Sequence, residues 1–230
     1  MWYYDSTYLL VILGLLLGLA AQGAVKSAYS RYMGVQTQRG IPASDAVADM
    51  LEMQGNAGVP VECIQGELTD QYDPKANVLR LSRNVYQSSS VAALSIAAHE
   101  AGHAMQKYES YPLLALRSMA VPVVNFGSQA AFPIFFLGIL ASLRPLMMLG
   151  IACFALSVLF ALITLPVELD ASRRGMAMLK ESGMMTEEER KGAKKVLTAA
   201  AMTYVASALA ALLNLARLIM IANGSNRRRR

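Results

Sequence analysis

Four stretches of this 230-residue chain, 6–25, 118–143, 145–167 and 196–216, contain no Asp, Glu, Lys or Arg. Each matches the roughly 18 to 20 apolar residues that an α-helix needs to cross a bilayer core. A backbone in hydrocarbon must satisfy its own polar groups, so such segments have to be helices. The sequence therefore predicts a mainly α membrane protein with about four transmembrane helices. Charged residues are 16% of the chain, against about 25% in soluble domains, and they crowd between the apolar stretches. A freely soluble fold and a disordered chain are both excluded by that distribution.

The first stretch begins after MWYYD, which carries Asp5 and no Lys or Arg. A cleaved signal peptide starts with positive charge, so residues 1–25 are expected to form a retained anchor. Trp2, Tyr3, Tyr4 and Tyr8 are its interfacial aromatic belt. Residues 26–117 hold 8 Lys+Arg and 9 Asp+Glu and read as a non-membrane α+β region. A helix capped by Ser44 would share Val47, Met50 and Leu51 on one face and stop at Gly55. Short strands are expected over 59–65 and 77–82, separated by the turn-prone GELTDQYDPKA, and a longer helix starts near 88–90.

Only Arg144 separates the second and third apolar stretches, so Arg144-Pro145 is the turn of a transmembrane hairpin over 118–167 whose two ends open on one side. Residues 168–195 form a charged connector in which Thr186 and Glu189 make a capping box for a last membrane helix and basic tail, 196–230. Lys26, Arg31, Arg39, Arg117, Arg173, Arg174, Lys180, Arg190, Lys191, Lys194 and Lys195 then share one side, which the positive-inside rule makes cytosolic. The Arg run 227–230 supplies most of the net charge of +5 and would lie opposite if the last helix spans. It reads as a solvated tail or a contact with anionic lipid. No basic stripe suits nucleic acid. Cys63 and Cys153 make no disulfide framework, and the oligomeric state is not legible.

The chain has two histidines, His99 and His103, in His99-Glu100-Ala101-Gly102-His103. On a helix, positions i and i+4 share a face. Both imidazoles can then reach one zinc ion while Glu100 stands beside its water as general base. This is the HExxH pattern of a metallohydrolase. Gly102, unfavourable inside a helix, is expected to leave room for a substrate backbone. Catalytic zinc takes three protein ligands, so a third is missing. The hairpin returns Glu168 to the level of the HExxH helix, making it the leading candidate over Asp170, Glu109 and Asp73. Ser172, one turn later, could support a zinc-binding histidine.

HEAGHA followed by a transmembrane hairpin and ELDASRR resembles the YugP-type family of putative neutral zinc metallopeptidases of bacterial membranes. The likeness extends to LTDQYDP, NVLRLS and the anchor, and is more distant to the HtpX and Ste24 membrane proteases. It implies a gluzincin-like catalytic region with a short β-hairpin, one catalytic Zn2+ held by His99, His103 and Glu168, and Glu100 as base. Two departures stand out. Asp70-Gln71-Tyr72-Asp73 occurs where many relatives carry a histidine, and Ser172 where the HtpX pattern has Asp.

The reading is a membrane-embedded zinc-dependent endopeptidase acting on polypeptides, among them membrane proteins, at the cytosolic surface of a bacterial cell membrane. An exposed edge of the strand at 77–82 could pair with an extended substrate. Arg173, Tyr108 and Tyr204 are candidates to stabilise an oxyanion. A site-2-type intramembrane protease fits less well, because no later Pro-containing Asp motif occurs within 118–167. A non-catalytic scaffold or transporter component with a structural zinc site is the alternative from another class. Such a site would use four protein ligands and have little need of Glu100.

Overall fold

The computed structural model describes residues 7–227. Trp2, Tyr3 and Tyr4 of the expected aromatic belt, and the last three arginines, lie outside those residues. The elements run α1 (Tyr8–Met33), α2 (Ala43–Met53), β1 (Val61–Ile64), β2 (Gln71–Asp73), β3 (Val78–Ser82), α3 (Arg83–Tyr86), α4 (Val91–Tyr108), α5 (Pro112–Leu140), α6 (Arg144–Glu181) and α7 (Glu187–Arg227). By length and composition α1, α5, α6 and α7 can each cross a membrane, and the chain is an integral membrane protein.

The described residues form two compact units. One consists of the helix segments 8–21, 116–165 and 203–227. Its large apolar side chains, among them Leu16, Phe126, Phe136 and Leu159, face outward, as a surface solvated by lipid tails requires. Small residues bring its backbones together. A methyl placed on Gly14 would sit 3.2 Å from the Ala210 side chain, and one on Gly150 would sit 2.7 Å from the Phe135 backbone nitrogen. Phe135, Met147, Ile151, Leu218 and Ala222 pack its core. The turn between α5 and α6 spans residues 141–143. Ser142 adopts φ +58°, and the Leu143 N–H donates to the Gly138 carbonyl at 2.9 Å. Helices run through Pro122, Pro133 and Pro166. Consequently α6 continues past the apolar stretch as one helix that also carries residue 168.

The second unit comprises residues 22–115 and 166–202. Helix α2 buries Ala43, Ala46, Val47, Met50 and Leu51, the i, i+3, i+4, i+7, i+8 spacing of one apolar face. That face meets the Ala-rich back of α4, where Ala93, Ala97, Ala98 and Ala101 have no exposed surface. Gly55, at φ +76°, follows the end of α2 as expected. Its N-cap, however, is Pro42 rather than Ser44. Ser44 lies one residue inside the helix and donates to Asp45 Oδ1, and the fixed φ of proline suits the entry to a helix. At the start of α4, Ser90 Oγ accepts from the Ala93 N–H, as capping chemistry requires. Thr186 and Glu189 form the expected capping box of α7.

The sheet differs from the sequence reading. The segment read as turn contains a third strand, β2, and the order is β1-β3-β2. Strands β1 and β3 pair in parallel, Val61 opposite Leu79, while β2 and β3 form the short antiparallel hairpin, Tyr72 opposite Leu79. Asp70 fixes the hairpin by accepting from the Ser82 N–H at 2.7 Å and the Ser82 hydroxyl at 3.0 Å. Its burial pushes the Asp70 pKa up against those bonds. β3 is thus the central strand, and both its edges are filled. The expected exposed edge at 77–82 is absent because Gln71–Asp73 occupies it.

Candidate metal centre

His99 and His103 project from one face of α4, as the four-residue spacing dictates, with ring centroids 4.9 Å apart and planes at 82°. Glu168 comes from α6. Its Oε2 lies 3.2 Å from His99 Nε2 and 3.5 Å from His103 Nε2. One ligand atom from each of the three falls within 4.8 Å of the others, a group that could hold a metal ion. The side chain of Glu168 is 3% exposed and those of His99 and His103 14% and 10%. Two imidazole nitrogens and a buried carboxylate oxygen are a donor set that suits zinc. Burial alone would pull the His103 pKa down, but its hydrogen bond to Glu168 and the charge of Glu100 outweigh that and leave it raised.

The backbone beneath this cluster is locked by two reciprocal close approaches. Gly102 on α4 faces the Ala171 backbone of α6, and Gly175 on α6 faces the Ala98 carbonyl of α4, with 2.6 Å left for a methyl on Gly175. The residues are four apart on each helix, so the two helices cross antiparallel through one turn of small side chains. The space expected for substrate at Gly102 is therefore filled by α6. That close crossing sets Glu168 and Ser172, also four apart, opposite the histidines.

Outer hydrogen bonds hold both rings. His99 Nδ1 lies 3.0 Å from Ser172 Oγ, where the sequence placed a supporting residue. His103 Nδ1 lies 3.0 Å from Gln106 Oε1. Gln106 was not singled out from sequence. It is fully buried, and its Nε2 donates to the Val167 carbonyl at 2.8 Å and to Asp170 Oδ2 at 3.0 Å. The available signal was a polar residue three positions after His103, on the same face of α4 as both histidines.

Glu100 sits between the histidines in sequence and keeps a partly accessible side. The Tyr72 backbone N–H of β2 donates to its Oε2 at 2.9 Å. Enough protein surrounds the carboxyl that desolvation raises its pKa, with His99 and His103 acting in the opposite sense. Tyr72 itself is buried, its hydroxyl donating to Asn77 Oδ1, and its pKa is pushed up to about 12 by burial and then by Asp73.

The weaker ligand candidates are engaged elsewhere. Asp170 pairs with Arg174 at 2.5 Å and with Arg173, Glu109 pairs with Arg174 at 2.6 Å, and Asp73 pairs with Arg80 at 2.8 Å. Among the oxyanion candidates, Arg173 is bound to Asp170, Tyr108 is exposed at the end of α4, and Tyr204 belongs to the other unit.

The family model described as "Putative neutral zinc metallopeptidase" matches residues 7–223. The chain is also similar to the "Putative membrane protease YugP" of Bacillus subtilis (strain 168), 46% identical over 214 residues, covering 92% of this chain and 94% of that protein. No solved structure matches significantly. With the match running across almost every described residue, this chain belongs to the family of putative neutral zinc metallopeptidases.

Proposed function

We propose that the protein is a membrane-embedded zinc endopeptidase whose single zinc ion is held by His99, His103 and Glu168, with Glu100 as general base. The observation that carries this reading is the meeting of Glu168 with both histidines across 69 and 65 residues of sequence, beside a second carboxyl, Glu100, that the cluster does not use as a donor. A zinc ion held there would lower the pKa of a bound water toward neutrality and polarise a peptide carbonyl.

The chain's own groups supply the proton traffic. Tyr72 N–H holds Glu100 Oε2, leaving Oε1 to take a proton from the attacking water. The same carboxyl then gives that proton to the amide nitrogen as the C–N bond breaks, so that a neutral amine leaves. The basic residues flanking the membrane stretches favour a cytosolic site in a bacterial cell membrane, and membrane proteins are the substrates within reach.

The test is cleavage of an unfolded polypeptide by the zinc-loaded protein in detergent, beside Glu100→Gln at matched metal content. Loss of about 10³-fold or more in the variant is expected, within the range of general base catalysis and its coupling to the metal. Equal cleavage by both would overturn the role of Glu100. Metal binding without cleavage of any membrane or soluble polypeptide would favour a structural zinc site.

A further inference from the structure

The amide of Gln106 has only one workable orientation. Its nitrogen faces the Val167 carbonyl and the Asp170 carboxylate, 2.8 and 3.0 Å away. Both of these groups only accept, since Asp170 is itself held by Arg174 and Arg173. Turning the amide over would set oxygen against two oxygens in a site with no solvent access, at the cost of two buried hydrogen bonds. The Gln106 oxygen must therefore face His103 Nδ1 at 3.0 Å. A carbonyl oxygen can only accept, so Nδ1 has to carry a proton, and in the neutral ring that binds a metal Nε2, on the side of Glu168, is then the nitrogen with the free lone pair.

His99 is held differently. Its Nδ1 meets the Ser172 hydroxyl, which can donate or accept and so imposes no tautomer. We infer that Gln106 is a positioning residue that fixes His103 as the Nδ1–H tautomer and aims Nε2 at the metal position, while His99 remains adaptable. This rests on the zinc reading above. The orienting chain runs on from Gln106 through Asp170 to Arg174 and Glu109, so the ring is registered against α6 as well as its own helix.

The test uses full-length protein labelled with ¹⁵N-histidine in detergent, with and without added Zn2+. Only two histidines are present, so the Ser172→Ala shift assigns His99 and, by difference, His103. The expected spectrum has His103 protonated at Nδ1, with that proton slow to exchange. Gln106→Met preserves size and removes the acceptor. It should speed exchange at least tenfold and raise the zinc Kd about 10- to 100-fold, whereas Ser172→Ala leaves the His103 signal in place. A His103 ring protonated at Nε2 instead, or zinc affinity in Gln106→Met within threefold of the parent, would overturn the inference. If the variant fails to fold, the parent's tautomer still decides. If the parent binds no zinc, the metal reading fails, and the tautomer is read from the metal-free neutral ring at alkaline pH.

Discussion

Gly102 of α4 and Ala171 of α6 are in backbone contact: a methyl on Gly102 would lie 2.8 Å from the Ala171 carbonyl carbon. Neither partner can yield as a flexible side chain would. Gly102→Ala is expected to push α6 outward and carry Glu168, three residues away, off the two histidines. Overpacking of this kind costs about 1–3 kcal/mol, and thermal melting should register it. Zinc titration should report at least a tenfold weaker site even where the fold survives, and Gly175→Ala should behave alike. A Gly102→Ala protein with parental zinc affinity would place the cause of the glycine elsewhere.

On the proposed reading Glu168 is a ligand and Asp170 is scaffold. Both are acidic and on α6, yet only Glu168 reaches the histidines. Glu168→Gln should drop the bound zinc from about one equivalent to a small fraction, as measured by elemental analysis of protein washed free of excess metal. Asp170→Asn should retain most of its zinc. The reverse pattern would reassign the third donor.

Removing the metal should leave a folded protein. Two donors share one helix and the third is fixed by the glycine crossing, so the donor group exists before the ion arrives. Treatment with a strong chelator should leave far-UV circular dichroism within a few per cent of the starting value. The melting temperature should fall, because a ligand at about 1,000 times its Kd contributes about 4 kcal/mol. Collapse of helical signal on chelation would mean that zinc organises the unit.

Membrane orientation can be read from the exposed Cys63 of β1. With residues 26–117 on the cytosolic side, a membrane-impermeant maleimide should miss Cys63 in intact cells and label it after permeabilisation. In a Cys63→Ser background, Ser142→Cys at the α5–α6 turn should label from outside. Labelling of Cys63 in intact cells would invert the topology.

What the sequence made legible was local in origin. The four uncharged stretches named the membrane helices, the histidine spacing named a helix face, and the Thr186–Glu189 capping box announced the start of α7, whereas Ser44 misplaced the cap of α2 by two residues. Glu168 was reachable as the candidate third donor because a hairpin must return to its side of the membrane. Strand β2 was hidden because Gln71–Asp73 has turn-like residues and pairs only once Val78–Ser82 is in place. The parallel partnership of β1 and β3 was hidden for the same non-local reason. Gly102 advertised an empty space without saying what fills it, and Gln106 gains its meaning from the carbonyl of Val167 and the carboxylate of Asp170, 61 and 64 residues away.

Residue 168 lies beyond the whole of α5 and most of α6, whereas both histidines are already present when α4 ends at Tyr108. A ribosome adding about 5–20 residues per second needs several seconds to cover that interval. During it, the nascent chain displays two imidazoles and a base but no buried carboxylate to complete the donor set. On the proposed reading, hydrolytic capacity is withheld until the hairpin has been threaded into the bilayer, so a half-made or wrongly inserted copy is harmless to the machinery that is making it.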